Sequence, residues 1–297
     1  MNAGFELIEK EIRERITDEL NKVGVLYRIF TRAKDDKSIS EKIQRKVDEG
    51  KPYIAGIKLI QDVIGIRIVT YFKDDVELVR EILSHKIQII DQEVDHPDPT
   101  VFKPKRTNFI CSFSERQKKI FLDVQQSSHN PDHDLLDATY ELQLRTILSE
   151  GWHEIDHSLR YKCKSDWEDH QENERLLNGI YASLEINDIA LKNLFNELSY
   201  KHFKNKKWEG LIRNKFRLGF LQVPVKQDLL DILNKNNETS KAFYKLSRHE
   251  TLLILYKLNI SLPVSINNLI FLINAVIIKD KDILAITPGI ILDLVEC

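Results

Sequence analysis

The stretch from residue 140 to residue 162, YELQLRTILSEGWHEIDHSLRYK, constrains the fold more than any other part of the chain. Its first residues alternate between apolar and polar, which predicts a strand with one buried face and one polar face. The polar face carries a carboxylate, an amide and a guanidinium, from Glu141, Gln143 and Arg145. Such a face is costly to bury, so it is best explained if it binds something charged. A sheet edge with solvated charges is the alternative that the spacing alone leaves open.

After Thr146 the apolar residues recur at helical spacing, which predicts a helix over residues 146–161. This helix carries His157, and Tyr161 and Lys162 stand at its end, beside the polar face of the strand. We therefore expect strand and helix to bring several polar side chains to one place.

A second polar cluster surrounds the apolar run of residues 63–69, which predicts a central strand interrupted by Arg67. An arginine among Ile and Val needs an anionic partner, because an unpaired buried charge is strongly unfavourable. Asp62 immediately precedes this strand. Asp62 and Glu141 together suit Mg²⁺, which prefers one or two carboxylates plus substrate phosphates.

The segment of residues 32–42, RAKDDKSISEK, contains four cations and lies upstream of the second cluster. Ser38 is a candidate N-cap for a helix over residues 38–49. A solvated basic loop is the ordinary interpretation of such a charge run. Together with two carboxylates and a buried arginine, the segment favours a metal-assisted phosphoryl-transfer site on a mixed sheet.

Four blocks of these residues resemble the synthetase domain of the RelA/SpoT alarmone synthetases. In family order the blocks are Arg32-x-Lys34-x3-Ser38-Ile39-x2-Lys42, Asp62-x2-Gly65-x-Arg67, Glu141-x-Gln143-x-Arg145-Thr146 and His157-x3-Tyr161-Lys162. The resemblance covers residues 20–165 and implies an α+β fold, with a nucleotidyltransferase-like mixed β-sheet flanked by helices. We assign residues 1–205 to this synthetase domain and residues 206–297 to a C-terminal helical domain of unknown role.

The resemblance also implies an ATP-dependent pyrophosphokinase. Such an enzyme moves the β,γ-pyrophosphate of ATP to the ribose 3′-hydroxyl of GDP or GTP, with Mg²⁺, and releases AMP. The implied catalytic residues are Asp62, Glu141, Gln143 and Arg145, of which Asp62 and Glu141 would hold the metal. ATP would be bound by Arg32, which would stack on adenine, and by Lys34, Ser38, Lys42 and Arg67, the last also supporting the metal carboxylates. The acceptor would be bound by Lys105, Phe109, His157, Tyr161 and Lys162.

One segment departs from the family pattern. The family's Asn-Gly-Tyr-x-Ser-x-His segment has its nearest match around Asn108, with Phe109 where a tyrosine would stack on the acceptor guanine. A phenyl ring stacks through its π-face, although it cannot donate the hydrogen bond of a hydroxyl. We predict that Phe109 stacks on the acceptor base, with a core position in a strand as the alternative. The identity of the acceptor stays open.

A rival motif lies inside the last block. Residues 153–157, HEIDH, satisfy the H-E-x-x-H pattern of zinc proteases. Third ligands would come from Glu168, His170, Glu172 or Glu174. Zinc proteases generally have uncharged residues where this chain has Asp156, and a protease leaves Asp62 and Glu141 unexplained. We therefore favour a structural role for His153.

Composition favours an intracellular enzyme. The formal net charge is −2, so a nucleotide would have to be met by local patches. The three cysteines, at positions 111, 163 and 297, show no paired spacing that indicates disulfides or a zinc site. The N-terminus predicts a charged amphipathic helix and not a signal peptide, and the longest apolar run, residues 269–278, is too short to span a bilayer. We expect a cytoplasmic protein without a membrane segment.

The remaining elements follow from periodicity. Helices are predicted over residues 4–23, 74–85 and 168–205, and strands near residues 63–72, 86–93, 108–114, 118–124 and 138–145. Residues 225–297 are predicted to be helical, and the apolar segments 252–260 and 269–278 must pack inside a small domain or against another subunit, which leaves a homo-oligomer open.

Residues 201–217 contain seven Lys or Arg residues against one acid, with Phe203, Trp208 and Phe216 among them. Aromatic rings between cations suit single-stranded RNA or a tRNA end, whereas a linker or a solvated basic helix is the interpretation we favour. Two alternative functions therefore stand beside the pyrophosphokinase. One is a toxin-like relative that pyrophosphorylates the tRNA 3′ end, and the other is a catalytically silent nucleotide sensor.

Overall fold

The computed structural model of the chain describes residues 3–95 and 107–296. Its contacts divide the chain into two compact units. Unit 1 comprises Met1–Thr17, Tyr27–Tyr71 and Leu83–Ile186, and unit 2 comprises Asp18–Leu26, Phe72–Ile82 and Asn187–Cys297.

Unit 1 is built on a mixed five-stranded sheet. The strands are β1 (Tyr27–Ala33), β2 (Ile64–Thr70), β3 (Ile89–Val94), β4 (Thr107–Ser112) and β5 (Thr139–Thr146), in the spatial order β1-β2-β5-β4-β3. The central pair, β2 and β5, is parallel, and every other neighbouring pair is antiparallel.

The first six helices are α1 (Ala3–Val23), α2 (Asp36–Asp48), α3 (Lys73–Ser84), α4 (Glu115–Ser127), α5 (Ile147–Ile155) and α6 (Gln171–Lys204). A π-helical turn, Asp156–Tyr161, continues α5, and short 3₁₀ turns span Pro131–Leu135 and Lys164–Trp167. The C-terminal helices are α7 (Trp208–Phe216), α8 (Gln227–Lys235), α9 (Asn237–Lys245), α10 (Arg248–Lys257), α11 (Ile266–Ile273), α12 (Lys281–Ile286) and α13 (Gly289–Glu296), with a π-helical turn at Asn274–Ile278. The predicted α+β fold, with a mixed sheet, flanking helices and a C-terminal helical region, is confirmed.

The alternation in β5 has the predicted consequence. Tyr140, Leu142 and Leu144 are buried, whereas the polar residues between them are half-buried on the opposite face. Thr146 then caps α5 through a reciprocal pair of hydrogen bonds with Ser149, so the change of period coincides with a helix start.

One predicted strand is a helix, and one strand was not predicted. Residues 118–124 were predicted as a strand but lie in α4, because Ser114 and Gln117 form a capping box and the buried residues Phe121 and Val124 follow at helical spacing. Strand β1 was not predicted, since it is an edge strand whose outward positions are exposed.

The N-cap of α2 also differs from the prediction. Asp35, and not Ser38, caps this helix, because its carboxylate accepts the hydrogen bond of the Ser38 backbone N–H at 2.8 Å. Ser38 therefore lies in the first turn.

Unit 2 buries the apolar C-terminal segments in its own core, where Leu252, Ile270 and Phe271 are almost completely inaccessible. It also contains a buried ion cluster, formed by Asp74, Asp75, Arg217 and Arg248, of which Asp74 is partly exposed. In this cluster the Arg217 guanidinium is 2.6 Å from the Asp74 carboxylate, and the Arg248 guanidinium is 2.5 Å from that of Asp75. Within the described ranges, no helix combines the length and the apolar character that crossing a bilayer requires.

The aromatic residues of the basic segment 201–217 also belong to the interior of unit 2. Trp208 and Phe216 are buried, and the ring of Phe203 stacks on Tyr244 with centroids 4.6 Å apart. The rings proposed as a platform for RNA bases thus pack against protein.

Candidate functional site

The polar face of the sheet in unit 1 is assembled from four neighbouring strands. Backbone register places its residues in two rows, and residues directly opposite each other point to the same face. The first row is Arg32–Gly65–Glu141–Ile110, and the second is Phe30–Arg67–Gln143–Asn108.

A cavity of about 610 Å³ lies over this polar face. Ten of the predicted site residues line it: Arg32, Lys34, Ser38, Lys42, Asp62, Arg67, Glu141, Gln143, His157 and Lys162. Its other lining residues are Phe30, Thr31, Glu41, Arg45, Gly65, Ile66, Glu154 and Ser158. Strand pairing and helix α2 thus bring most of the predicted residues together, although they are separated by up to 130 positions in sequence.

Four predicted site residues are not among those that line the cavity. Arg145 and Tyr161 lie close by, Phe109 is in the core, and Lys105 falls outside the described residues.

The carboxylate of Asp62 lies between two lysines. One of its oxygens is 2.5 Å from the Lys34 ammonium and the other is 2.6 Å from that of Lys42. Burial lowers the pKa of Lys34 to about 8, although Asp62 opposes the shift. Burial would raise the pKa of Asp62, but the two lysines outweigh it and leave that pKa below its ordinary value. Asp62 is therefore held as a carboxylate.

Arg67 has the anionic partners that its position in an apolar strand requires. Its guanidinium is 2.7 Å from the carboxylate of Glu150 and also contacts Glu154, and its Nε donates to the side-chain oxygen of Gln143 at 3.0 Å. Burial disfavours the charge of Arg67, but Glu150 and Glu154 outweigh this and raise its pKa. Arg67 thus pairs with two carboxylates of α5, where we had expected it to support Asp62 and Glu141.

Arg145 takes part in the same hydrogen-bonded network. Its guanidinium donates to Glu150 at 3.4 Å and to the Gln143 side-chain oxygen at 3.3 Å. Burial, and then the nearby charge of Arg67, lowers the pKa of Arg145. Gln143 and Glu150 therefore hold the two positively charged guanidinium groups of Arg67 and Arg145 next to each other.

Glu141 occupies the centre of the first row. It accepts a hydrogen bond from the amide of Asn108 on β4 at 3.1 Å, across the strand pair. Asn108 and Gln143 are directly opposite in the register, so the side-chain amides of both residues lie on the polar face of the sheet.

Phe109 does not lie where the prediction needs it. Its side chain is 0 % exposed, and it is opposite Leu142 in the register, so it points to the apolar side of the sheet. The prediction that Phe109 stacks on the acceptor base is therefore wrong for this structure, and the core alternative is correct. The side-chain period of two sends Phe109 and Asn108 to opposite faces.

The π-helical turn after α5 supplies the other side of the cavity. His157 and Lys162 line the cavity, and the ring of Tyr161 is nearly parallel to that of His157, with centroids 5.9 Å apart. Burial, and then the charge of Lys162, lowers the pKa of His157. This ring is thus biased towards its neutral form.

The H-E-x-x-H residues do not converge on one point. Glu154 contacts Arg67, and the ring of His153 packs against those of Trp152 and Tyr181, with centroids 5.2 Å and 6.0 Å away. In the part of the chain that the structure describes, no group of three or more His, Cys, Asp or Glu side chains is arranged to hold a metal ion.

Several residues of the site were missed by sequence reasoning. These are Phe30, Asn108, Glu150 and Glu154. Glu150 and Glu154 are four residues apart on a predicted helix, so they lie on one face of it. The need of Arg67 for an anionic partner was the one sequence observation that could have identified them.

Comparisons with known proteins agree with the four blocks. Residues 31–166 match the family model described as the region found in RelA / SpoT proteins. The GTP pyrophosphokinase YjbM of Bacillus subtilis is 28 % identical over 137 residues, which cover 44 % of this chain and 54 % of that protein. The chain thus matches about half the length of this relative.

Two solved structures are also similar to the chain. The small alarmone synthetase 1 of Bacillus subtilis bound to its product pppGpp aligns with a TM-score of 0.49 and 18 % identity, covering 66 % of this chain and 95 % of that one. A GTP pyrophosphokinase family protein of Streptococcus pneumoniae aligns with a TM-score of 0.44 and 22 % identity, covering 65 % and 87 %. The sequence blocks and the family match agree in extent, since all four blocks lie within residues 31–166.

Proposed function

We propose that this protein is an ATP-dependent pyrophosphokinase of the alarmone synthetase type. It transfers the β,γ-pyrophosphate of ATP to the ribose 3′-hydroxyl of GDP or GTP, and AMP leaves. The observation that carries this proposal is the cavity, in which Asp62, just before β2, and Glu141, on the adjacent parallel strand β5, stand among several cations. The name of the relative YjbM, a GTP pyrophosphokinase, agrees with it.

The charge balance of the cavity supports a polyphosphate substrate. Its cationic lining residues are Arg32, Lys34, Lys42, Arg45, Arg67 and Lys162, and its carboxylates are Glu41, Asp62, Glu141 and Glu154. Cations therefore exceed carboxylates by two, and a triphosphate bound with one Mg²⁺, which together carry a net charge of about −2, would restore the balance. In-line phosphoryl transfer depends mainly on positioning and charge stabilisation, which such a lining supplies.

The chemistry of the donor set fits Mg²⁺. Two carboxylates are enough, since this ion is usually bound by one or two of them together with substrate phosphates and water. Asp62 and Glu141 would hold the ion, and when bound it would neutralise charge on the phosphates. Lys34 and Lys42 keep Asp62 ionised, as a metal ligand must be.

The remaining roles follow from position. Glu141 would accept the proton of the attacking 3′-hydroxyl. Gln143 and Arg145 would orient the acceptor or its phosphates, and Gln143 and Glu150 hold Arg67 in place through hydrogen bonds. On the ATP side Arg32 would stack on adenine, while Ser38 and Lys42 would bind phosphates from α2.

On the acceptor side, His157 and Lys162 would bind GDP or GTP from the π-helical turn, with Tyr161 stacked behind His157. A neutral His157 would serve as a hydrogen-bond partner for the acceptor and add no charge.

Incubation with Mg²⁺ and ATP labelled at the γ-phosphate tests the proposal, with GDP, GTP, ADP, ATP and tRNA offered in parallel. We expect label in GDP or GTP and one AMP for each labelled product. Label that appears only in tRNA would replace the nucleotide acceptor by the tRNA 3′ end. The absence of transfer to every acceptor would contradict an enzyme and favour a nucleotide sensor.

A further inference from the structure

An exposed aromatic ring lies in the cavity, and the proposed function leaves it without a role. Phe30 is 51 % exposed, although it is on a strand and lines an otherwise polar cavity. Single exposed apolar residues are common on protein surfaces and need no explanation. A benzene ring that faces a charged cavity is a different case, because its π-face is available to a flat ligand.

The neighbours of Phe30 on the polar face are guanidinium groups. Phe30 and Arg32 are two residues apart on β1, so their side chains share a face about 6.6 Å apart along the strand. On β2, Arg67 is directly opposite Phe30 in the register. One ring and two planar cations thus form three corners of one surface in the cavity.

Arg67 is held in a fixed orientation within this surface. Its guanidinium donates hydrogen bonds to Gln143, Glu150 and Glu154. A side chain that is already ordered loses little entropy when a ligand packs against it. The surface around Phe30 is therefore preorganised at one of its corners.

The same surface belongs to the ATP side of the cavity. Phe30 is on the strand that leads to Lys34, whereas His157 and Lys162 come from the π-helical turn after α5. Phe109, the ring expected to bind a base, is buried in the core. Among the described residues that line the cavity, Phe30 carries the one benzene ring.

We propose that Phe30 is a stacking platform for the base of the donor nucleotide and determines how strongly that site prefers purines. This inference rests on the proposed function. Stacking uses the π-face and adds to the phosphate contacts of the cationic residues without altering them. Purines present a larger face than pyrimidines, so the preference follows from contact area.

Isothermal titration calorimetry with Mg²⁺ separates the base from the phosphates. We compare ATP, CTP, GDP and inorganic tripolyphosphate on the wild type and on Phe30→Ala, Phe30→Leu and Phe30→Tyr. The preference for ATP over CTP should shrink in Phe30→Ala. Phe30→Ala should weaken ATP binding about tenfold, in the range that one stacked base contributes. Tripolyphosphate should bind the wild type and all three variants equally, because it has no base. Phe30→Tyr should restore ATP affinity, and Phe30→Leu, which keeps apolar bulk without a π-face, should not.

Leu122→Ala is the matched control, because Leu122 is an equally exposed apolar residue on α4 that does not line the cavity. Circular dichroism checks that each variant is folded. Unchanged ATP affinity in Phe30→Ala would overturn the inference, as would an equal loss for tripolyphosphate. A loss confined to GDP would overturn the assignment to the donor side.

The two proposals fail in different ways. If the wild type transfers label to GDP or GTP but Phe30→Ala binds ATP normally, the inference fails and the proposed function stands. If the wild type neither binds ATP nor transfers label, both fail.

Discussion

The cavity of unit 1 and the buried ion cluster of unit 2 use the same kinds of side chain with different access to water. In the cavity, the side chains of Asp62 and Lys42 are 24 % and 18 % exposed, so each can exchange its partner for a ligand. In the ion cluster, the side chain of Arg217 is 2 % exposed and that of Asp75 is 0 % exposed. Their charges must therefore be compensated by other protein groups, because water cannot reach them.

The pKa values of the two aspartates express this difference. Two lysines outweigh the effect of burial at Asp62 and lower its pKa, whereas burial prevails at Asp75 and raises its pKa in spite of Arg248. An excess of cations around an accessible carboxylate favours binding of an anion with a metal. A nearly balanced set, in which Arg217 and Asp75 are inaccessible, favours a structural role for these two residues, and removal of a partner is then costly.

Replacement of a carboxylate in the cavity should give the largest effect on activity and almost none on stability. Glu141→Gln should lower kcat about 10²–10⁴-fold, because the amide cannot accept the proton of the acceptor hydroxyl. Its oxygen still accepts the hydrogen bond of Asn108, so thermal unfolding should be unchanged. Glu115→Gln, at a side chain that is 86 % exposed, is the control. A kcat close to that of the wild type would remove Glu141 from the catalytic residues.

Replacement of a cation in the buried ion cluster should lower stability and should not affect a catalytic group directly. Arg248→Met should lower the free energy of unfolding by about 3–5 kcal/mol, because it leaves Asp75 buried without its cation. Arg80→Met, which breaks an exposed pair with Glu77, should cost about 0–1 kcal/mol. Urea titrations measure both. Equal losses of stability for the two variants would show that burial does not determine how much these ion pairs contribute. The double variant Arg248→Met/Asp75→Leu should recover stability, because it removes the unpaired carboxylate.

Filling the floor of the cavity should affect binding without disturbing the fold. A Cβ atom added at Gly65 would meet nothing within 4 Å, and this position lies between Arg32 and Glu141 in the first row. Gly65→Val should raise the KM for ATP about tenfold, since its methyl groups occupy space that the nucleotide needs. Gly179→Ala, also in open space but on α6, is the control. A KM unchanged by Gly65→Val would show that the ligand does not approach the sheet there.

The smallest expected effect is on the pH dependence of stability. Because burial raises the pKa of Asp75 above 3.8, the folded state keeps this proton when the unfolded state has lost it. Asp75 therefore makes stability fall as the pH rises from 3.8 through its folded pKa. Asp75→Asn should remove this contribution, so the difference in unfolding free energy between variant and wild type should change with pH over this window. A constant difference would contradict the raised pKa.

Local periodicity predicted the elements that build the centre of the site. The alternation in residues 140–145 and the helical spacing after Thr146 correspond to β5 and α5, and the apolar run after Asp62 corresponds to β2. These patterns succeed because the side-chain periods of strands and helices are properties of the backbone itself. Periodicity failed at residues 118–124, where a capping box outweighs an ambiguous apolar pattern, and at the edge strand β1.

Partners were predicted less well than elements. The sequence indicates that Arg67 needs an anion, but Glu150 and Glu154 become its partners only because α5 packs beside β2. Phe109 was expected to meet a ligand, and the register of β4 against β5 turns it into the core. The same register turns Asn108 towards Glu141.

The sequence by itself determined the change of period around residue 146, the positions of the carboxylates Asp62 and Glu141, and the match of residues 31–166 to the region found in RelA / SpoT proteins. Each of these depends on residue types and on spacing along the chain. Only the tertiary structure decided which charges pair, which ring lies in the cavity and which ring is buried. These depend on strand register and helix packing between residues far apart in sequence, where a shift of one position in a strand exchanges the two faces.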